Sequence, residues 1–158
     1  MKSIFLFLFS LVFIAVETKA TQQEDEIPTH DTFTIASKNL GETRTINVWK
    51  PAEQNDSTKK LPVLYMLDGG IKEDFPHLAN TIMELVNKKI IPPIILVGIE
   101  NTQRRRDLTG YTDVAEDKNI APVVGGSAKF RAFIKDELFL TIDQKYRVNK
   151  EKSIIGES

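Results

Sequence analysis

The chain has 158 residues, of which 41% are hydrophobic and 27% are charged, and its formal net charge is −1. This composition suits one globular domain or part of a larger one, and the near-neutral charge gives no electrostatic basis for binding nucleic acid or an anionic membrane surface. The absence of cysteine excludes disulfides, thiolate metal sites and thiol nucleophiles, and the two histidines, His30 and His77, are too few for a histidine-rich metal site.

The first twenty residues have the pattern of a secretory signal peptide. Lys2 provides a short positive start, residues 4–16 form a nearly unbroken apolar run, and Thr18 and Ala20 are small residues at the two positions that signal peptidase inspects. The alternative is an uncleaved anchor, but a membrane-spanning helix needs about 20 apolar residues and this run is shorter. We predict cleavage after Ala20 and a secreted or periplasmic protein with no stable membrane span after cleavage.

A polar leader and a β-hairpin come next. Residues 21–31 are polar and acidic, which predicts a flexible leader, and His30 near its end is more typical of a solvated loop residue than of a catalytic one. Residues 32–37 and 42–49 are β-rich and are separated by a turn. Such a hairpin can form the antiparallel edge of a mostly parallel sheet.

Two continuous apolar runs, residues 61–67 and 94–99, predict strands that are buried on both faces, as in a parallel sheet. Between them Asp74 is the predicted N-cap of a helix with one apolar face, made of Phe75, Leu78, Ala79, Ile82, Leu85 and Val86. Residues 100–126 lack clear periodicity, and long segments of this kind are often functional.

A second amphipathic helix is predicted over residues 128–146, with Ser127 as its cap. A last short strand, residues 153–155, follows it. Strands and helices therefore alternate after the hairpin, which predicts an α/β sheet with helices on its faces.

The chain ends in Gly156-Glu157-Ser158, directly after that last apolar strand. A strand that runs into Gly-x-Ser is the first half of the Gly-x-Ser-x-Gly turn that holds the nucleophile of α/β hydrolases. Gly-x-Ser by itself occurs by chance about once in 200 positions, given the usual abundance of the two residues. The weight of the motif therefore depends on the scaffold that precedes it.

Four stretches together resemble the esterase D-type branch of the α/β hydrolases, which includes S-formylglutathione hydrolases, enterochelin esterases, feruloyl and acetyl-xylan esterases and mycobacterial mycolyltransferases. The first is the strand that ends in Leu-Asp-Gly at residues 67–69, and the others are residues 97–109, the helix ending in Asp-x-x-Tyr-Arg at residues 143–147, and residues 154–158. Gly110 departs from the proline of many relatives. The resemblance covers residues 32–158 and implies the N-terminal half of an α/β-hydrolase fold, with an antiparallel edge hairpin followed by parallel strands and covering helices.

The resemblance also implies roles for individual residues. Ser158 would be the nucleophile, and the backbone N–H of Gly70 would be one donor to the oxyanion of the tetrahedral intermediate. Asp68 would lie at the rim of the pocket, on the substrate side. Arg104 and Asp107 would lie in the loop beside the site, where an internal ion pair is an equal alternative. Serine ester hydrolysis needs no cofactor, and none is expected.

In this family the catalytic acid and histidine follow the serine, whereas nothing follows Ser158 in this chain and both of its histidines precede it. We therefore predict that residues 32–158 are the N-terminal part of a serine hydrolase that acts on small-molecule or glycan-linked carboxylic esters through an acyl-enzyme, and that the 158-residue chain alone is inactive. The alternatives are a non-catalytic secreted α/β binding or interaction module and an acyltransferase of the mycolyltransferase type.

Overall fold

The computed structural model describes residues 26–52 and 58–156. The predicted signal peptide and Ser158 lie outside the described residues. Within the described ranges, no helix combines the length and the hydropathy that crossing a membrane requires.

A five-stranded sheet forms the centre of the fold, in the order β1-β2-β4-β3-β5. Strands β1 and β2 pair antiparallel, β2 pairs antiparallel with β4, and β3 pairs parallel with both β4 and β5. The predicted arrangement of an antiparallel edge hairpin followed by parallel strands is confirmed. The strands are β1 Asp31–Ser37, β2 Glu42–Trp49, β3 Leu61–Met66, β4 Ile95–Ile99 and β5 Val148–Ile155.

The helices are α1 Phe75–Asn87, α2 Arg104–Leu108, α3 Ala115–Ile120, α4 Ser127–Phe133 and α5 Phe139–Lys145. A π-helical turn, residues 134–138, joins α4 to α5, so the predicted second long helix exists but contains one wider turn. The segment between β4 and α4, in which no periodicity was expected, contains the two short helices α2 and α3.

Helices cover both faces of the sheet, and each face has its own apolar core. On one face α4, the π-helical turn and α5 place Phe133, Leu138 and Ile142 against buried residues of the central strands. On the other face α1 packs Phe75, Ala79, Ile82 and Val86 against Trp49, Met66 and Leu96. All five residues of β4 are buried, as the continuous apolar run predicts.

Strand β5 begins five residues before the predicted start at residue 153. Its polar first half pairs with β3, with Val148 opposite Leu61 and Lys152 opposite Val63. No residue of β5 is fully buried. Its sequence therefore lacks the apolar run by which a buried strand is recognised, and the pairing with β3 decides where it starts.

The last residues of the predicted leader are in contact with helix α1. The side-chain amide of Asn80 donates to the carbonyl oxygen of Glu26 at 2.9 Å. The ring of His30 packs edge-on against Phe75, with 5.3 Å between the ring centroids. His30 is therefore partly buried, which differs from the solvated position expected for it, whereas His77 is exposed as expected.

Candidate active site

Strands β3, β4 and β5 run in the same direction, so their carboxyl ends meet at one edge of the sheet, which we call the carboxyl edge. At this edge the backbone N–H of Leu67 donates to the carbonyl oxygen of Ile155 at 3.0 Å. Gly156, the next residue, lies against Leu67, because a Cβ built on it would be 3.0 Å from Leu67 Cδ1. The strand that leads to the Gly-x-Ser motif therefore ends beside the loop after β3.

That loop is held against β4 by a close backbone contact that requires glycine on both sides. The N–H of Gly69 donates to the carbonyl oxygen of Ile99 at 2.9 Å. A Cβ on Gly69 would be 2.3 Å from the Cα of Gly98, and a Cβ on Gly98 would be 2.5 Å from the carbonyl oxygen of Gly69. The buried side chain of Asn47 also donates to this Gly69 carbonyl at 2.9 Å. The loop therefore has little freedom at Gly69.

Asp68 and Arg104, two of the predicted substrate-side residues, form an ion pair at the carboxyl edge. Arg104 Nε and Nη2 donate to the two carboxylate oxygens of Asp68 at 2.6 and 3.2 Å, and Asn101 Nδ2 donates to Asp68 Oδ1 at 2.5 Å. Burial alone would raise the pKa of Asp68, but these hydrogen bonds outweigh it and hold the pKa below its usual value. Asp68 has a φ of 57°, a left-handed backbone that aspartate tolerates better than most residues.

Gly70, the predicted oxyanion donor, lies two residues beyond Asp68, and its N–H donates to Glu73 Oε2 at 2.7 Å. The same carboxylate accepts from Asn101, at 3.3 Å from the backbone N and at 2.8 Å from Nδ2. Asn101 therefore links the loop after β3 to the loop after β4. Neither Glu73 nor Asn47 was predicted as a site residue, since neither belongs to a recognisable motif.

Asp107, the third substrate-side candidate, lies in helix α2 and forms a buried ion pair with Arg44 of strand β2. Its carboxylate is 1% exposed and pairs with the fully buried guanidinium of Arg44 and, at 2.8 Å, with Arg106 Nε. Glu42 completes the network, at 2.6 Å from Arg44 and 2.7 Å from Arg106. Asp107 thus forms internal ion pairs with Arg44 and Arg106, whereas Arg104 pairs with Asp68. Arg44 was not predicted as part of this network, although the sequence places a charged residue at a position of β2 that faces the core.

The same network predicts how stability depends on pH. Hydrogen bonds from Arg106 outweigh the opposing effect of burial and lower the pKa of Glu42 from 4.5 to about 2. Because the folded pKa lies below the unfolded one, Glu42 stabilises the fold above about pH 4.5, and this contribution is lost as the pH falls toward 2. We expect the free energy of unfolding to fall by on the order of 2 kcal/mol more between about pH 5 and pH 2 in the wild type than in Glu42→Gln. Urea unfolding at a series of pH values measures this difference, and parallel curves would contradict it.

Within residues 26–52 and 58–156, no three His, Cys, Asp or Glu side chains are grouped so that they could hold a metal ion. The features that meet at the carboxyl edge are the end of β5, the backbone of Gly69 and Gly70, and the polar side chains of Asp68, Glu73, Asn101 and Arg104. The donors among them, which are the Gly70 N–H, Asn101 and Arg104, are of the kind that can polarise a carbonyl oxygen.

A family profile described as "Putative esterase" matches residues 37–158. The crystal structure of an IroE-like serine hydrolase from Shewanella oneidensis is 31% identical with a TM-score of 0.74, and the match covers 82% of this chain and 42% of that one. No curated protein sequence matches the chain.

Two more distant structures share the fold. The siderophore hydrolase EstA from Aspergillus nidulans is 20% identical with a TM-score of 0.69, over 95% of this chain and 53% of that one. The enterobactin esterase FES from Shigella flexneri, crystallised in the presence of enterobactin, is 16% identical with a TM-score of 0.59, over 82% and 30%. The chain thus spans between about a third and about a half of the length of these structures.

Proposed function

The chain belongs to this esterase family and has its α/β-hydrolase fold, and from that premise we propose that it forms the N-terminal part of a serine hydrolase that cleaves carboxylic esters. The observation that carries the proposal is the end of β5 beside the Gly69-Gly70 loop. Ser158 is two residues beyond Gly156, and we propose that its hydroxyl meets the ester at the edge where the Gly70 N–H lies.

In the proposed reaction Ser158 Oγ attacks the carbonyl carbon of the ester while its proton passes to a histidine. The carbonyl oxygen becomes an oxyanion, and the Gly70 N–H is one of its donors. The tetrahedral intermediate collapses, the alcohol leaves with the proton from the histidine, and an acyl-enzyme remains. Water then attacks the acyl carbon, which releases the acid and restores the serine.

The acid and the histidine of this mechanism follow the serine in the order that the fold uses. We therefore assign neither His30 nor His77 as the base, and His30 instead packs against Phe75. For the same reason we propose that the 158-residue chain by itself does not hydrolyse esters.

We propose a small-molecule ester as the substrate, and a glycan-linked ester as the second possibility. Two of the similar structures are a siderophore hydrolase and an enterobactin esterase, which supports the small-molecule class. The ion pair of Asp68 and Arg104 would form the polar rim of the pocket, with Arg104 about two-fifths exposed to solvent. Asp107 would support the rim from below rather than touch the substrate. The apolar N-terminal run supports a secreted or periplasmic location.

A fluorophosphonate probe tests the proposal in the full-length protein. We expect one adduct per molecule, on Ser158, because such probes react with serine hydroxyls that an active site has activated. Trypsin produces a peptide that begins at Ser153 and also contains Ser158, so fragment ions must distinguish the two serines. Labelling should disappear after heat denaturation. An adduct on another serine, or no adduct on the folded protein, would contradict the proposal.

A further inference from the structure

The backbone N–H of Gly70, which we propose as a donor to the oxyanion, already donates to a carboxylate. Gly70 N donates to Glu73 Oε2 at 2.7 Å, and the backbone N of Asn101 donates to the same oxygen at 3.3 Å. A carboxylate oxygen held by two backbone N–H groups has the charge and the donors of an oxyanion. An ideal Cβ on Gly70 would be 2.8 Å from Glu73 Oε2 and 2.9 Å from Glu100 Cγ, so the Glu73 carboxylate and the Glu100 stem both lie directly against this backbone.

A backbone N–H makes one strong hydrogen bond at a time, so the Glu73 carboxylate and a substrate oxygen compete for the Gly70 N–H. We propose that Glu73 occupies the oxyanion position in the resting enzyme and that the substrate must displace it. The inference rests on the proposed function, because it requires the Gly70 N–H to be an oxyanion donor.

The contacts of Glu73 explain why it can be displaced. Its hydrogen bonds come from neutral donors, and within the described residues no cation lies in ion-pair distance of it. The neighbouring carboxylate of Asp68 is different, since Arg104 holds it in place. Asn101 Nδ2 donates to the other oxygen, Glu73 Oε1, at 2.8 Å. Oε2 can therefore move away from Gly70 while the hydrogen bond from Asn101 Nδ2 to Oε1 remains.

Glu73 also closes the turn that precedes helix α1, since its backbone N–H donates to the Gly70 carbonyl at 3.0 Å. A glutamate that reaches back to an N–H three residues earlier resembles the second half of a capping box. If that were its only role, Glu73 would position the Gly70 N–H and its removal would impair catalysis. If Glu73 instead competes with the substrate for the Gly70 N–H, its removal should improve catalysis.

The test compares wild type, Glu73→Gln, Glu73→Ala and the control Asp74→Ala in the full-length protein, using an alkylboronic acid that forms an anionic tetrahedral adduct with the serine. Asp74 is a matched control, because it carries the same charge in the same loop, is exposed and makes no side-chain capping bond. We expect the inhibition constant to fall about tenfold in Glu73→Ala, the factor for removing one competing charge-assisted hydrogen bond, and to stay within about twofold in Asp74→Ala. Glu73→Gln should be intermediate, and kcat/KM should rise in the same order.

Weaker boronate binding in Glu73→Ala and Glu73→Gln, with wild-type thermal stability, would overturn the inference and leave the esterase function standing. If Glu73→Ala does not fold, Glu73→Gln decides, because it removes the charge and keeps an acceptor. If the wild type itself binds no boronate and hydrolyses no ester, the proposed function fails and the inference fails with it. The amide signal of Gly70 gives a readout without turnover: boronate binding should shift it in the wild type, and an unchanged signal would contradict displacement.

Discussion

Replacing Ser158 with alanine is expected to lower kcat/KM for a p-nitrophenyl ester by roughly 10⁶-fold in the full-length protein, the size of effect seen when a serine hydrolase loses its nucleophile. The reason is that the acyl-enzyme of the proposed mechanism forms on the serine oxygen, which alanine lacks. Among the described residues, the nearby carboxylates of Asp68 and Glu73 are both engaged in hydrogen bonds. Residual activity should come only from binding and from the oxyanion donors.

The matched control for this prediction is Ser153→Ala. Ser153 lies in β5, five residues before Ser158 in the sequence, is exposed, and is opposite Leu64 in the pairing of β5 with β3. The chemical change is identical, so kcat/KM should stay within about twofold and the thermal midpoint should not move. A small loss of activity in Ser158→Ala, or a comparable loss in both variants, would show that Ser158 is not the nucleophile.

Replacing Asp107 with alanine is expected to lower the free energy of unfolding by about 3 kcal/mol. The guanidinium of Arg44 is fully buried, and Asp107 is the buried carboxylate that balances its charge. Glu42 remains as a partner at 2.6 Å, but it is partly exposed to solvent. Urea unfolding at neutral pH measures the loss, and the exposed Asp113→Ala is the control, for which a change below about 0.5 kcal/mol is expected.

A double variant separates the loss of an ion pair from the loss of packing. Arg44→Met combined with Asp107→Leu removes both charges and keeps apolar volume, so most of the lost stability should return. Arg44 already lies 5.4 Å above the ring of Phe130, which is apolar surface that a methionine can contact. A loss below about 1 kcal/mol in Asp107→Ala, or no recovery in the double variant, would show that the buried pair does not determine the stability of this region.

Helix α2 connects the buried ion pair with the carboxyl edge. Arg104 and Asp107 both lie in α2, and the pairing of Asp107 with Arg44 anchors this helix to strand β2. Loss of that ion pair should therefore also disturb the position of Arg104, which pairs with Asp68 at the carboxyl edge.

The sequence by itself determined four of the five strands to within one residue at each end, and also the two long helices. The reason is local: strands buried on both faces appear as short continuous apolar runs, and covering helices repeat their apolar residues at helical spacing. The motif that starts at Gly156 and the Leu-Asp-Gly turn at residues 67–69 each consist of neighbouring residues. The two motifs together therefore indicate the family from the sequence.

Only the tertiary structure decided which groups meet at the site. Asn47 reaches the Gly69 carbonyl across 22 positions of sequence, and Arg44 reaches Asp107 across 63, because β2 and β4 pair in one particular register. Strand β5 starts at Val148 because β3 offers it a partner, since its polar first half has no pattern of its own. The bond from Gly70 to Glu73 spans three residues, yet no motif predicts it, because the fold of the turn decides whether that N–H points to a side chain or to a substrate.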